Sequence, residues 1–356
     1  MEYNIHFDDV QIHQLVLHKL GSLDQNEGVF PAKQVLNPSE ELRDTLQNFF
    51  LSAIKKDELF HFYHESDDLM QNEIYAYANY IFNDNKDFYN QSINILKHLY
   101  NRSRHAKTQA GDLYVVHFEG FVYNDEQVEA LGIFKSETKD RFIKIHTQAA
   151  ADFAIHCEEG TPLSKVDKGC VILNTGAEEG FQVISTGIKS TEARFWLDDF
   201  MKVLQEQDDN YLTKSYLNLC KDFTKKVLSK EEKDEQLGFI NKALDYFQTN
   251  NDFEANAFKE EVFGENDEWA DKFEAYKKDY TNKQGIQDDA FEDFGFSISP
   301  DAVKKAKRGF KNIIQLDTQV ELKLHSAQVQ EDGFLEKGYD DERKMHYYKV
   351  YFNEEK

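Results

Sequence analysis

The hydrophobic period of this chain changes part-way along it, and that change limits the possible folds more than any other feature. From Asp112 onward, apolar and β-branched residues run in extended stretches, DLYVVHFEGFVY, VEALGIFKS and RFIKIH, separated by the polar turns NDEQ and ETKD. A period near two belongs to strands, so these runs predict an antiparallel meander. GCVILNTG from Gly169 and GFQVISTG from Gly180 predict a further hairpin with glycine at its ends. Beyond about Lys189 the period lengthens to that of a helix. RFWLDDFMKVL, YLTKSYLNLCKDFTKKVL, EQLGFINKALDYFQ and EWADKFEAYKKDY form four successive amphipathic segments.

The flanking regions mix the two patterns. Asn4–Leu20, NIHFDDVQIHQLVLHKL, reads as one or two strands. Asn37 as cap, Pro38 in the first helical position and Glu40 three residues after the cap predict a helix start. Leu42, Leu46, Phe49, Phe50 and Ala53 would share its apolar face, and Asp67–Tyr100 predicts two more helices. Near the C-terminus, Ser299 as cap, Pro300 in the first position and Asp301 in the first turn predict a further helix. Val303, Ala306, Phe310 and Ile313 lie on one face of it; Lys304, Arg308 and Lys311 lie on another, with Lys305 and Lys307 alongside. Strands IIQLDTQVELKLH and MHYYKVYF follow. At 356 residues the chain exceeds what one core usually serves. The expected architecture is α+β: an antiparallel sheet with helices over residues 1–190, a helical middle domain over 191–294, and a small C-terminal α+β unit over 295–356.

Core material is ample, with 40% hydrophobic and 14% aromatic residues. Cys157, Cys170 and Cys220 form no C-x-x-C pair and no even framework, which argues against a disulfide scaffold or structural zinc and favours a reducing compartment. The N-terminus lacks the basic start and apolar block of a signal peptide, and no run approaches the roughly 20 apolar residues of a membrane span. A cytoplasmic chain is therefore expected.

The formal net charge of −24 opposes long-range approach to a polyanion. Its distribution is uneven. Ser229–Phe294 carries 19 Asp plus Glu against 8 Lys plus Arg, whereas Lys304–His325 carries six Lys plus Arg against Asp317 and Glu321. Nucleic-acid affinity depends on local cations that displace counterions from phosphates, so Lys304, Lys305, Lys307, Arg308 and Lys311 are candidate phosphate contacts. The competing reading is a solvated helix face paired with acidic neighbours.

Signals for catalysis are weak. His61 and His64, beside Glu65 in HFYHE, would share a helical face, but the H-E-x-x-H order of a zinc protease is missing. His146 or His156 with Cys157, Glu158 and Glu159 suggests a Cys–His pair only if the fold brings the side chains together. Asp198–Asp199, Asp208–Asp209 and Asp288–Asp289 are adjacent pairs, which diverge on a helix. No phosphate loop, dinucleotide fingerprint or nucleophile elbow occurs. No catalytic residue, metal site or cofactor is expected.

Several motifs occur in a recognisable order. IHFDDVQIHQLVLHKL, EALGIFKS, FWLDDFMKVL and FGFSISPDAVKKAKRGFKNIIQLDTQVELKLH resemble the bacterial nucleoid-associated protein family of the NdpA type, and the similarity spans nearly the whole chain. The resemblance implies a non-enzymatic cytoplasmic protein of the bacterial nucleoid that binds DNA or nucleoid proteins; homo-oligomerisation stays open. It supplies no DNA-contact residues. Three readings remain: phosphate contact by the C-terminal unit, an acidic adaptor docking on DNA-bound proteins, and, ranked last, a metal-dependent enzyme acting on nucleic acid through His61 and His64.

Overall fold

The computed structural model describes residues 4–23, 25–84, 87–103, 109–148, 152–186, 195–231, 233–287, 290–291, 295–309, 313–323 and 334–354. The chain forms two compact units, Tyr3–Glu206 and, after it, Gln207–Lys356. The architecture is α+β, as the two periods require.

The first unit is built on a nine-stranded antiparallel sheet. Its strands are β1 (Ile5–His6), β2 (Gln11–Leu20), β3 (Val29–Phe30), β4 (Ile54–Phe62), β5 (Gly111–Tyr123), β6 (Glu126–Ser136), β9 (Lys168–Leu173), β10 (Gln182–Thr186) and β11 (Val203–Gln205). The order is β11-β4-β10-β9-β6-β5-β2-β3, with β1 beside the end of β5. Both faces are covered. Val115, Leu131, Ile133 and Ile172 pack under α2 (Glu73–Asn83) and α3 (Phe88–Arg102), while Val116, Phe118, Phe134 and Val171 pack against Phe49 and Phe50 of α1 (Glu40–Leu51). Double coverage explains why β5 reads as a continuous apolar run rather than a clean alternation.

Several local expectations need correction. Helix α1 starts two residues later than read, because Ser39 rather than Asn37 accepts the Leu42 N–H (3.4 Å); the Asn37 amide oxygen takes an Arg43 guanidinium N–H instead (3.4 Å). RFIKIH does not continue the meander. It forms β7 (Asp140–Gln148), which among the described residues pairs only with β8 (Asp152–Gly160) in a separate ribbon, and β9 takes the place beside β6. RFWLDDFMKVL does not stay helical: Phe195–Met201 makes a π-helical segment burying Trp196, Phe200 and Met201, and the chain then enters β11, paired with β4. The two apolar residues Val203 and Leu204 satisfied either period, and pairing with β4 decided between them.

In the second unit, α4 (Asp209–Lys226), α5 (Lys233–Thr249), α6 (Ala255–Phe263), α7 (Asp267–Gln284) and α8 (Pro300–Gly309) enclose an aromatic core. Tyr216 is at its centre, with the rings of Phe253, Phe291, Phe258 and Phe247 between 4.4 and 5.7 Å away. Such edge and tilted contacts add to simple area burial. Two ribbons follow, β12 (Ile313–Gln315) with β13 (Glu321–Lys323), and β14 (Leu335–Asp340) with β15 (Met345–Val350). Leu316, Leu322, Leu335 and Tyr348 cluster with Leu237 of α5.

Candidate nucleic-acid interface

Helix α8 starts where the sequence signals it. The Ser299 hydroxyl accepts the Ala302 N–H (3.4 Å) and the Asn210 amide N–H (3.2 Å), and the Ser299 N–H donates to the Thr213 hydroxyl (3.0 Å). Pro300 fills the first position, where a missing N–H costs nothing, and Asp301 faces the positive end of the helix dipole. Ala302 and Val303 are buried and Ala306 is half-buried, so α8 is anchored on α4 and α5 as part of the aromatic core. The helix ends at Gly309. Ile313, read as part of its apolar face, instead starts β12; Phe310 and Lys311 lie outside the described residues.

That anchoring turns the cations outward. Lys304, Lys305, Lys307 and Arg308 are all exposed. Lys304 and Arg308, four apart, sit one above the other, with Lys305 and Lys307 on either side of them. Lys307 Nζ donates to Gln248 Oε1 of α5 (2.7 Å), a neutral partner. Asp301 is exposed at the start of the same helix and subtracts one charge from the face. Lys307 and Arg308 also occupy the last turn, where cations stabilise the negative helix end. The arrangement can hold phosphate oxygens by charge.

The other sequence candidates separate. His61 lies on strand β4, not on a helix, and its Nδ1 is 2.8 Å from Glu206 Oε1; that hydrogen bond holds the Glu206 carboxyl below the usual range despite partial burial. His64 falls in the loop beyond β4, where its Nδ1 accepts the Ser66 N–H (3.3 Å). The shared helical face required for a metal is therefore missing. On the β7–β8 ribbon, His146 and His156 meet edge to face at 5.3 Å, but strand alternation points Cys157 to the opposite side. Glu158 pairs with Lys144 (3.5 Å) and Glu159 with Arg141 (2.9 Å), so the Cys–His reading fails on geometry. Asp208 caps α4 by accepting the Tyr211 N–H (2.7 Å), and Asp209 accepts the Ser297 N–H (3.3 Å). Asp288 and Asp289 lie outside the described residues. Among the described residues no three His, Cys, Asp or Glu side chains are grouped to hold a metal, and no helix is long and apolar enough to cross a membrane.

The structure also assembles a charge cluster that sequence reasoning missed. Lys135 and Lys168, both buried, each place Nζ 2.7 Å from the same Glu137 oxygen, and Lys135 also donates to the Gln109 carbonyl (2.7 Å). Burial pushes the Lys135 ammonium pKa down and Glu137 opposes the shift. Beside them, burial would raise Asp167, but hydrogen bonds from Lys165 and from the Thr138 and Glu137 N–H groups outweigh it and bring the carboxyl to about 2. The two lysines are distant in sequence and meet only because β6 pairs with β9, placing Lys135 opposite Lys168. No spacing signal could have found them.

No curated protein matches the chain. A family model described as nucleoid-associated protein YejK matches residues 16–345, which takes in the main sheet from the second half of β2 onward, the aromatic helical core and α8. The chain therefore belongs to the nucleoid-associated protein YejK family.

Proposed function

We propose that this chain is a non-enzymatic nucleoid protein that contacts DNA directly, through phosphate neutralisation by α8. The observation that carries the reading is the outward presentation of Lys304, Lys305, Lys307 and Arg308 on a helix anchored by Ala302, Val303 and Ala306. Lys311 belongs to the same proposal from sequence alone. Cations held on one rigid helix can track a phosphate backbone without reading bases, so binding is sequence-tolerant and salt-sensitive. The strongly acidic remainder restricts approach to this face. Purified protein should be retained by unrelated duplexes of equal length at low salt and released as salt rises; absence of retention at low salt defeats direct binding.

A second reading has its own observation. Glu260, Glu261, Glu265, Asp267, Glu268, Asp271, Glu274 and Asp279 are all exposed over α6, α7 and the turn between them. Such a surface suits docking on a basic, DNA-bound protein by electrostatic steering. A pull-down that recovers the same basic partner after nuclease digestion favours this adaptor reading; a partner lost with the DNA counts against it.

A further inference from the structure

Beside Phe88 at the start of α3, a bulge in β2 gathers polar side chains that phosphate contact by α8 does not use. Gln11 pairs with Glu119 and Ile12 with Phe118, but Gln14 pairs with His117, so His13 is an extra residue in β2. A bulge of this kind re-aims a side chain. The His13 ring reaches His117 of β5, with ring centres 5.3 Å apart and planes at 90°. Each imidazole spends one nitrogen on a carboxylate: His13 Nδ1 is 3.2 Å from Glu119 Oε1, and His117 Nε2 is 3.3 Å from Glu129 Oε2 of β6. The second His117 nitrogen, Nδ1, is buried on a side chain 0% exposed and has no hydrogen-bond partner among the described residues. Gln14 Oε1, on the residue paired with it, is buried and unpartnered too. Such atoms are rare and costly, so two on one cross-strand pair call for a common partner.

We infer that these groups form a site for a divalent transition-metal ion of the zinc type, with His13, His117 Nδ1 and Gln14 Oε1 as donors and with Glu119 and Glu129 orienting the two imidazoles. Once His117 Nε2–H donates to Glu129, His117 Nδ1 and Gln14 Oε1 are both acceptors. Two acceptors cannot bond each other, but both can bind a cation. A ligating histidine ordinarily gives its other ring nitrogen to a carboxylate, carbonyl or water, and both imidazoles already have a carboxylate in that place. Two imidazoles on one tetrahedral ion, with zinc–nitrogen bonds of about 2.0–2.1 Å, have ring centres about 5.2 Å apart, close to the separation of His13 and His117. Burial lowers the His117 pKa although Glu129 opposes the shift, which keeps the ring in its neutral, ligating form. Imidazole nitrogens with one amide oxygen suit zinc, copper or nickel rather than calcium or magnesium. His13 and Glu119 are half-exposed, which gives the ion a way in from solvent and leaves its fourth position to water. Bound there, the ion ties β2 to β5 across the bulge.

The full-length protein, freed of metal by a chelator, is titrated with zinc by calorimetry and with cobalt, whose visible spectrum reports its ligands. One ion per chain is expected, with no thiolate charge-transfer band, which separates the site from exposed Cys157. His13→Ala, at a half-exposed side chain, should weaken zinc binding by about 100-fold or more, and Glu129→Ala, which removes only an orienting carboxylate, by about 10- to 100-fold. Zinc should raise the melting midpoint of the parent and not that of His13→Ala. His146→Ala combined with His156→Ala, at the exposed ring pair of the β7–β8 ribbon, should leave the affinity unchanged. A parent that takes up no zinc overturns the inference and leaves His13 and His117 as an edge-to-face stack. Binding that survives His13→Ala unweakened, or that disappears with His146 and His156, overturns it as well.

Discussion

Replacing Lys304, Lys305, Lys307 and Arg308 together with Gln tests the α8 assignment quantitatively. All four are exposed, so the substitution removes charge without opening the core. Each neutralised phosphate contributes about 0.9 to the slope of log affinity against log salt, so four contacts contribute about 3.6. Between roughly 50 and 200 mM salt, that slope corresponds to about a 150-fold loss of affinity. If the Gln248 bond at 2.7 Å withholds Lys307 from DNA, three contacts remain. The slope contribution then falls to about 2.7 and the loss to about 40-fold. Fluorescence anisotropy with a labelled duplex, read for parent and variant over the same salt series, measures the difference. A drop in slope of about 2.7 to 3.6 supports the reasoning, and separate restoration of Lys307 resolves the two values. The loss of two dipole-favourable cations from the last turn costs about 0.3–1 kcal/mol each, so the melting midpoint should fall by only a few degrees. An unchanged slope removes α8 from DNA binding, however large the change in affinity at one salt concentration.

Three further outcomes follow from the buried groups. Glu137→Gln leaves Lys135 and Lys168 facing each other without their shared carboxylate, and urea unfolding should show a loss of about 3–5 kcal/mol; a loss below 1 kcal/mol would mean that the ammoniums find another partner. His18 is buried, its Nδ1 accepting the Ala32 N–H (3.0 Å) and its Nε2–H donating to the Ser92 hydroxyl (3.1 Å), and burial lowers its pKa from 6.5 to about 4. Because the unfolded state takes the proton first, stability should fall as pH drops from 6.5 towards 4, by on the order of 2–3 kcal/mol. His18→Gln should flatten that limb of the stability profile, and an equally steep limb in the variant would place its origin elsewhere. Gly180 has φ +103°, its carbonyl accepts the Phe62 N–H (2.8 Å), and an added Cβ would lie 2.3 Å from the Phe62 carbonyl oxygen. Gly180→Ala should therefore destabilise the protein by about 2 kcal/mol or more, and a thermal midpoint equal to that of the parent would show that the β4–β10 junction can relax.

The strands β5, β6, β9 and β10 and helices α2, α3 and α8 were legible because their hydrophobic periods and turn residues agreed. Ser299-Pro300-Asp301 marked a helix start that the structure keeps, whereas Asn37-Pro38 lost its cap to Ser39 because that hydroxyl and carbonyl were both positioned to take the first free N–H groups. Short apolar runs were ambiguous: Phe195–Leu204 fitted a helix until Val203 and Leu204 paired with Phe62 and His61. The outward placement of Lys304 and Arg308 could be read from the spacing of Val303 and Ala306. The fate of His61, His64, His146 and Cys157 could not, since a shared site depends on which way strands and loops carry each side chain.

Sequence by itself determined the change of period, the number of strong elements and the sign of charge each region carries, because these follow from local steric preference and composition. Tertiary structure alone decided which of those elements became neighbours. The pairing of β6 with β9 brought Lys135 against Lys168, and the departure of β7 with β8 left Ile143, Ile145 and Ile155 open to water. Periodicity states which face of a strand is apolar; only long-range pairing, which joins residues far apart in the chain, determines whether anything covers it.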